Sequence, residues 1–341
     1  LIVSAERYRD AGVDLAAARA AKDRIARIVA EARTGLSVGG VGGFGGMVRV
    51  PEDVPSPVLV SSTDGVGTKV LVAIRAGVHD TVGEDLVNHC VDDILVHGAR
   101  PVAFLDYLAA AAIDPVTVAA LVEGVARGCR RHDLALAGGE TAELPDLYHE
   151  GHYDLAGTIV GVVAEDRVVT GDAVRPGDVL VGLASSGLHT NGYTLARRII
   201  FDDAGLDIDS PLPGVGTTVG DALLAVHVSY AAALTPVLDR VHGLAHITGG
   251  GIPGNLVRSL PEGVGARVET ARWTPPPLFT YLQEAGHVSR SEMFDVFNMG
   301  IGMIAIAPAG AVASIERSAR DAGVLTWTIG EVVAGSGIRI D

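Results

Sequence analysis

The chain has 341 residues, 48% of them hydrophobic and 20% charged, with a formal net charge of −15. This is the composition of a folded globular protein long enough for two domains, and it excludes a disordered chain. The acidic balance argues against a nucleic-acid-binding face, which would be basic, but not against a small anionic ligand held by local donors or a bound metal.

The opening stretch 1-LIVSAERYRD-10 lacks the long apolar core of a signal peptide. Residues 15–33 are spaced like a helix, with Leu15, Ile25, Ile28 and Val29 on its expected buried side. The segment 39-GGVGGFGG-46 is too glycine-dense for a helix or strand interior. Phe44 within it points to a loop against a ligand rather than a plain linker. Residues 57–62 and 102–108 are predicted strands. Residues 83–97 and 115–132 are predicted helices, the second opening at Asp114-Pro115. Residues 154–164 and 179–184 are further predicted strands. The turn 175-RPGD-178 marks a seam between two halves, after which helical and strand segments alternate without a short repeat. The pattern is α/β with α+β character. The apolar run 296–314 is broken by glycine and proline, so it is expected to form a strand and turns rather than a membrane span of ~20 residues. Cys90 and Cys129 offer neither a disulfide framework nor a zinc spacing and suit buried thiols in a reducing compartment. The expectation is a soluble, cytoplasmic protein with no membrane or nucleic-acid partner.

Several islands carry chemistry. In 63-TDGVGTK-69, Gly65 and Gly67 let backbone N–H groups approach a ligand, Thr68 and Lys69 can donate to phosphate oxygens, and Asp64 can hold a divalent cation. The spacing is not that of a P-loop. A tight surface turn with a stray lysine is the bland alternative. Asp92 and Asp93 sit side by side on an otherwise apolar helix and cannot both face solvent squarely. A strand ending at Gly138-Gly139 would present Glu140 and Thr141 at its tip. Asp64, Asp93 and Glu140 each close an apolar segment and together could hold one or two Mg²⁺ ions. In 185-SSGLHTNGY-193, Ser185, Ser186, His189, Thr190 and Asn191 crowd around two glycines. In 246-HITGGGIPGN-255, three glycines precede a predicted helix start suited to an anion. Ordinary glycine-rich connections and a structural histidine are the alternatives there.

Taken together, these islands resemble the phosphoribosylformylglycinamidine cyclo-ligase (AIR synthetase) family. The likeness runs nearly end to end through 8-YRDAGVD-14, 39-GGVGGFGG-46, 63-TDGVGTK-69, 85-DLVNHCVDDILVHGARPVAFLDYLA-109, 138-GGETAELPDLYHEGHYDLAGTIVGVV-163, 185-SSGLHTNGYTL-195, 246-HITGGG-251 and 297-FNMGIGM-303. It implies a two-domain fold: residues 1–168 as an ATP-binding and dimerisation domain that completes a β-barrel across a homodimer, and residues 169–341 as an α/β sandwich. It implies an ATP- and Mg²⁺-dependent closure of an imidazole ring on a small phosphorylated substrate. The formyl amide oxygen is phosphorylated, and an amidine nitrogen then displaces phosphate. By the same resemblance Asp64, Asp93 and Glu140 are the metal set. Gly43, Phe44, Gly45, Gly65, Gly67, Thr68, Lys69 and Thr141 join them around ATP. Lys69, His189 and Asn191 are the catalytic candidates. Ser185, Ser186, Thr190, Thr248, Gly249, Gly250 and Gly251 complete the substrate site.

Three departures from the family pattern matter. Ala18 and Arg19 stand where Gly and Asn or Asp are usual, and Ala26 where a lysine near the nucleotide is usual. The stretch 224-LAVHVSYA-231 replaces a Pro-Thr-Arg-Ile-Tyr-Val run, and Asp92 replaces a common asparagine. Lost lysine and arginine contacts are lost anion contacts. Tolerated drift in a purine enzyme, a paralogue activating a different amide, and a non-catalytic nucleotide-binding homologue are the competing expectations.

Overall fold

The structure is a computed structural model that describes residues 14–39 and 43–341. Residues 8–13 of the first family block and 40–42 of the glycine run lie outside the described residues. Helix α1 (Leu15–Glu31) starts where Asp14 accepts hydrogen bonds from the Ala16 and Ala17 amides. Its one fully buried residue is Ala21; Ile25, Ile28 and Val29 are half-buried, and Leu15, expected inside, faces solvent. A two-residue antiparallel pair, β1 (Ser37–Val38) and β2 (Met47–Val48), brackets the glycine run.

The first half is built on a four-stranded sheet of β3 (Pro57–Gly65), β4 (Arg100–Ala110), β5 (Ala135–Glu143) and β6 (Tyr153–Ala164), in the order β3-β6-β4-β5. The β3–β6 and β6–β4 pairs are antiparallel and β4–β5 is parallel. The sequence expectation ended β5 at Gly139; instead the strand runs on through Glu140 and Thr141 to Glu143, because pairing with Tyr107 to Ala110 continues that far. Helices α2 (Lys69–Ala76), α3 (Asp80–Leu95) and α4 (Pro115–Arg131) follow, with Asp114 capping α4 as its Asp-Pro start predicts. Helix α3 lies on the sheet and is buried along almost its whole length. Gly83 and Gly124 allow its close crossing with α4, since a Cβ on Gly124 would collide with the Asp80 carbonyl. The opposite face of the sheet exposes Leu59, Leu105 and Tyr107.

The second half is built on a six-stranded sheet, β12-β9-β11-β7-β10-β8, formed by β7 (Val179–Ala184), β8 (Gly243–His246), β9 (Val264–Val268), β10 (Ile301–Ala307), β11 (Thr326–Ala334) and β12 (Gly337–Ile340). Strand β10, from the apolar run 296–314, is buried at every residue, which is why it shows no alternation in the sequence. Among the described residues, no helix is long and apolar enough to cross a membrane.

Helix α3 ties the halves together. The segment 225–230 has no regular structure, and side chains from the first half bind its backbone. Lys69 Nζ donates to the Ala225 carbonyl (2.8 Å), Asp85 accepts from the His227 amide (2.7 Å), Asn88 donates to the His227 carbonyl (2.7 Å), and Asp92 accepts from the Tyr230 amide (2.8 Å). Residues 85, 88 and 92 recur at helical spacing, so one face of α3 supplies three of these four bonds.

Candidate functional site

A polar cleft of about 430 Å³ opens between the halves, lined by Ser62, Asp64, Asp93, His246, Thr248, Asn255 and Arg258 among others. Asp64 comes from the end of β3 and Asp93 from the last turn of α3. His89 lies one turn before Asp93 and bridges the two acids: its Nε2 is 2.7 Å from Asp64 Oδ2 and 3.7 Å from Asp93 Oδ2. Asp93 also accepts from Ser62 Oγ (2.9 Å) and pairs with His246 Nδ1 (2.8 Å). Burial works against ionising either acid. The bond and charge of His89 outweigh it at Asp64, and His246, His89 and Ser62 do so at Asp93, so both carboxyls are held below their usual range. Burial keeps His246 neutral, so its contribution to Asp93 is an N–H bond rather than a full charge. At His89 burial again opposes the charge, but the bond to Asp64 and the fields of Asp93, Asp64 and Asp85 raise its pKa. Two ionised carboxylates at the mouth of a polar cleft suit a hard divalent cation.

The expected three-carboxylate set does not hold together in one chain. Glu140 lies on β5, at the opposite edge of the sheet from Asp64 on β3, with β6 and β4 between them. Three strand spacings put the two backbones roughly 14 Å apart, too far for one ion or a close pair. Glu140 and Thr141 instead line a second cleft of about 870 Å³, with Gly43, Phe44, Gly45, Ala26, Lys22 and Arg33 among its walls. Lys22 stands one helical turn from Ala26, so the departure at Ala26 leaves a cation on that face of α1.

Lys69 is the second correction. Its ammonium is fully buried, 2.7 Å from Asp85 and bonded to the Ala225 carbonyl, and is sealed from both clefts. Its bond to Ala225 crosses the junction between the halves. Burial pulls the ammonium down and the Asp85 carboxyl up, and each opposes the shift of the other. Thr68 reaches Thr194 (3.1 Å). Gly67 adopts a left-handed φ of 64° that a side chain would strain. Gly65 lies at the end of β3, where its amide donates to the carboxylate of Asp64 (2.7 Å).

The 185–193 island lies against the same junction. His189, itself at φ 62°, is buried, and its Nε2 accepts from the Ser186 amide (3.2 Å) and, at 3.5 Å, the Val228 amide. An imidazole that accepts there and is buried stays neutral. Ser185 donates to the Gly187 carbonyl, Ser186 to the Val226 carbonyl, and Asn191 to Thr190. Thr190 reaches His89 Nδ1 (2.7 Å). Thr248 lines the polar cleft and Gly249 approaches Asn191. Gly250 and Gly251 have left-handed φ, and a Cβ on Gly251 would strike the Phe294 carbonyl, so packing alone requires glycine there. The sequence expectation misses His89, His246 and Arg258. For His89 the signal is its i, i+4 spacing to Asp93 on one helix.

Family models described as the AIR synthase related protein N-terminal domain and C-terminal domain match residues 21–163 and 175–341. A phosphoribosylformylglycinamidine cyclo-ligase from Sorangium cellulosum is 47% identical over 96% of this chain and 95% of its own length. The chain belongs to the phosphoribosylformylglycinamidine cyclo-ligase family. The family's enzyme from Thermosynechococcus vestitus is 47% identical over 97% of both chains, and that from Bacillus pumilus 44% identical over 98% of this chain and 97% of its own. Among solved structures, thiamine-monophosphate kinase from Stenotrophomonas maltophilia superposes with a TM-score of 0.66 at 20% identity, covering 94% of this chain and 95% of that one. HypE from E. coli does so with a TM-score of 0.66 at 15% identity, covering 93% and 92%. These two likenesses concern the fold, and they agree with a two-domain α/β architecture.

Proposed function

We propose that this enzyme closes formylglycinamidine ribonucleotide to aminoimidazole ribonucleotide with ATP, in purine biosynthesis. The observation that supports it most is the Asp64–Asp93 pair at the polar cleft, in a chain collinear over 96% of its length with a relative named for that activity. An amide oxygen is a poor leaving group, and phosphorylating it makes displacement by the amidine nitrogen feasible. Asp64 and Asp93 would hold Mg²⁺, which supplies charge neutralisation for the triphosphate. Ser62 and His246 keep Asp93 oriented, and His89 does so for Asp64. Thr248 and Arg258 offer a hydroxyl and a cation in the same cleft for the substrate's phosphate. The larger cleft, with Lys22, Arg33, Gly43, Phe44, Gly45, Glu140 and Thr141, suits the remainder of the nucleotide. His189 and Asn191 act by holding Thr190 and the 226–228 backbone in place.

The division at 168/169 fits the two separate sheets, and a cytoplasmic location fits the chemistry. The exposed Leu59, Leu105 and Tyr107 face suits a second copy of the chain, whose matching sheet would close a barrel. The test supplies purified protein with Mg²⁺-ATP and formylglycinamidine ribonucleotide and follows ADP and aminoimidazole ribonucleotide together. Equal formation of both is expected. ATP binding with neither product would overturn the reading in favour of another amide substrate.

A further inference from the structure

Behind Asp64 and Asp93, four histidine rings meet. His189 stacks on His227 with ring centroids 3.9 Å apart, and His89, His227 and His246 sit edge to face at 5.0–5.3 Å. One ring nitrogen from each of His89, His227 and His246 lies within 4.8 Å of the other two. The tightest approach is 3.2 Å, between His227 Nε2 and His246 Nε2. Two nitrogens on one tetrahedral zinc, each ~2.0–2.1 Å from the ion, stand about 3.3 Å apart.

A second observation points into the same place. Asp92 Oδ2 is 3.4 Å from His227 Nε2, fully buried, and without a hydrogen bond; His227 Nδ1 is likewise unpartnered. A buried carboxylate in that state must take up a proton or meet a cation. Among the described residues, imidazole rings stand around it, and their nitrogens are metal donors.

We propose that His89, His227 and His246 bind a borderline divalent transition metal, Zn²⁺ foremost, beside the position assigned to Mg²⁺, with the Asp92 carboxylate next to His227 offsetting its charge. Imidazole ligands suit zinc and its neighbours, whereas Mg²⁺ demands oxygen. Two of the three rings already have outer partners. Asp93 Oδ1 lies 2.8 Å from His246 Nδ1, which leaves Nε2 for the metal. His89 has Asp64 on one nitrogen and Thr190 on the other, so whichever nitrogen ligates, the other keeps an acceptor. Drawing the widest nitrogen pair to tetrahedral spacing needs side-chain shifts of about 1 Å. His246, Asp64 and Asp93 line the polar cleft, which gives the ion a way in.

The test loads the full-length protein with Zn²⁺, removes loose metal by gel filtration in excess Mg²⁺, and counts zinc by mass spectrometry. About one zinc per chain is expected, falling at least tenfold in His227→Ala. His227 is outside the Asp64–His89–Asp93 group, so its loss separates this site from zinc borrowed by the carboxylates. Wild-type protein that retains no zinc above a buffer blank, or a folded His227→Ala that retains as much, overturns the proposal. If that variant does not fold by circular dichroism, the cobalt-loaded wild type decides. Intense visible absorption of tetrahedral Co²⁺ supports the site, and the pale octahedral spectrum overturns it.

Discussion

Lys69 shows how far a side chain's meaning depends on what surrounds it. Beside Gly65, Gly67 and Thr68 it resembles a phosphate donor, but its ammonium is closed into a fully buried pair with Asp85. Replacing one partner of a buried ion pair leaves the other charge stranded, at a cost of about 3–5 kcal/mol. Lys69→Met should therefore lower the unfolding free energy by that amount, read as a lower urea midpoint at unchanged m, with any rise in the KM for ATP secondary. Normal stability with a raised KM would return Lys69 to the phosphates. At this scale the sequence is informative where an acid closes an apolar segment, as at Asp64 and Asp93. It is silent on which acids share a cleft. Glu140 lies at the far edge of the sheet because strand order is set by pairing between distant segments, which no local motif records. The two departures at Asp92 and 226–230 look unrelated along the chain, yet Asp92 bonds the Tyr230 amide and approaches His227.

Elements were legible where their signals are local. Asp14 and Asp114 cap helices whose apolar spacing already predicts them, and the strands near 57, 102, 154 and 179 lie where β-branched runs place them. Crossing geometry was not legible, since it depends on a glycine meeting a particular carbonyl. Gly124→Ala would gain about 1 kcal/mol of helix propensity. The new methyl would collide with the Asp80 backbone, and overpacking of this kind costs about 1–3 kcal/mol. Backbone yields less than a side chain, so the net effect should be destabilising, read as a lower thermal midpoint; a higher one would show that α3 and α4 can separate freely. At the end of α4, burial and the charge of Arg131 push His132 down to about 4, and its Nε2 lies 3.2 Å from Asn88 Oδ1. Below the unfolded value near 6.5 the unfolded chain takes up a proton that the folded chain refuses. The stability this residue contributes is thus present above pH 6.5 and lost as pH falls toward 4. Urea titrations at pH 7 and pH 5 should show the loss, with His132→Gln flattening the slope by up to about 1.4 kcal/mol per pH unit. An unchanged slope would place the proton elsewhere.

For the whole molecule, the question is what covers the open face of the four-stranded sheet. Leu59 is 64% exposed and Tyr107 40%, an arrangement that costs solubility unless another surface meets it. Sedimentation should give a dimer, and Leu59→Asp, at a residue lining neither cleft, a monomer with a preserved circular dichroism spectrum. A wild-type monomer would remove the barrel. The two-domain plan was legible because the motif blocks extend along nearly the whole chain. The way the halves dock was not, because it runs through backbone groups that carry no sequence signal.

That docking has a consequence for how this chain can change over time. Asp85, Asn88, Asp92 and Lys69 grip 225–230 by its amides and carbonyls, which every residue type but proline possesses in full. The side chains of His227 and Ser229 add contacts to Asp92, but the four bonds to the backbone across the junction do not depend on which side chains stand at 226–229. Substitution of the side chains at 226–229 would leave those four backbone bonds in place. The junction is thus a socket fixed by backbone, in which the side chain at 227 can be varied while the halves stay joined.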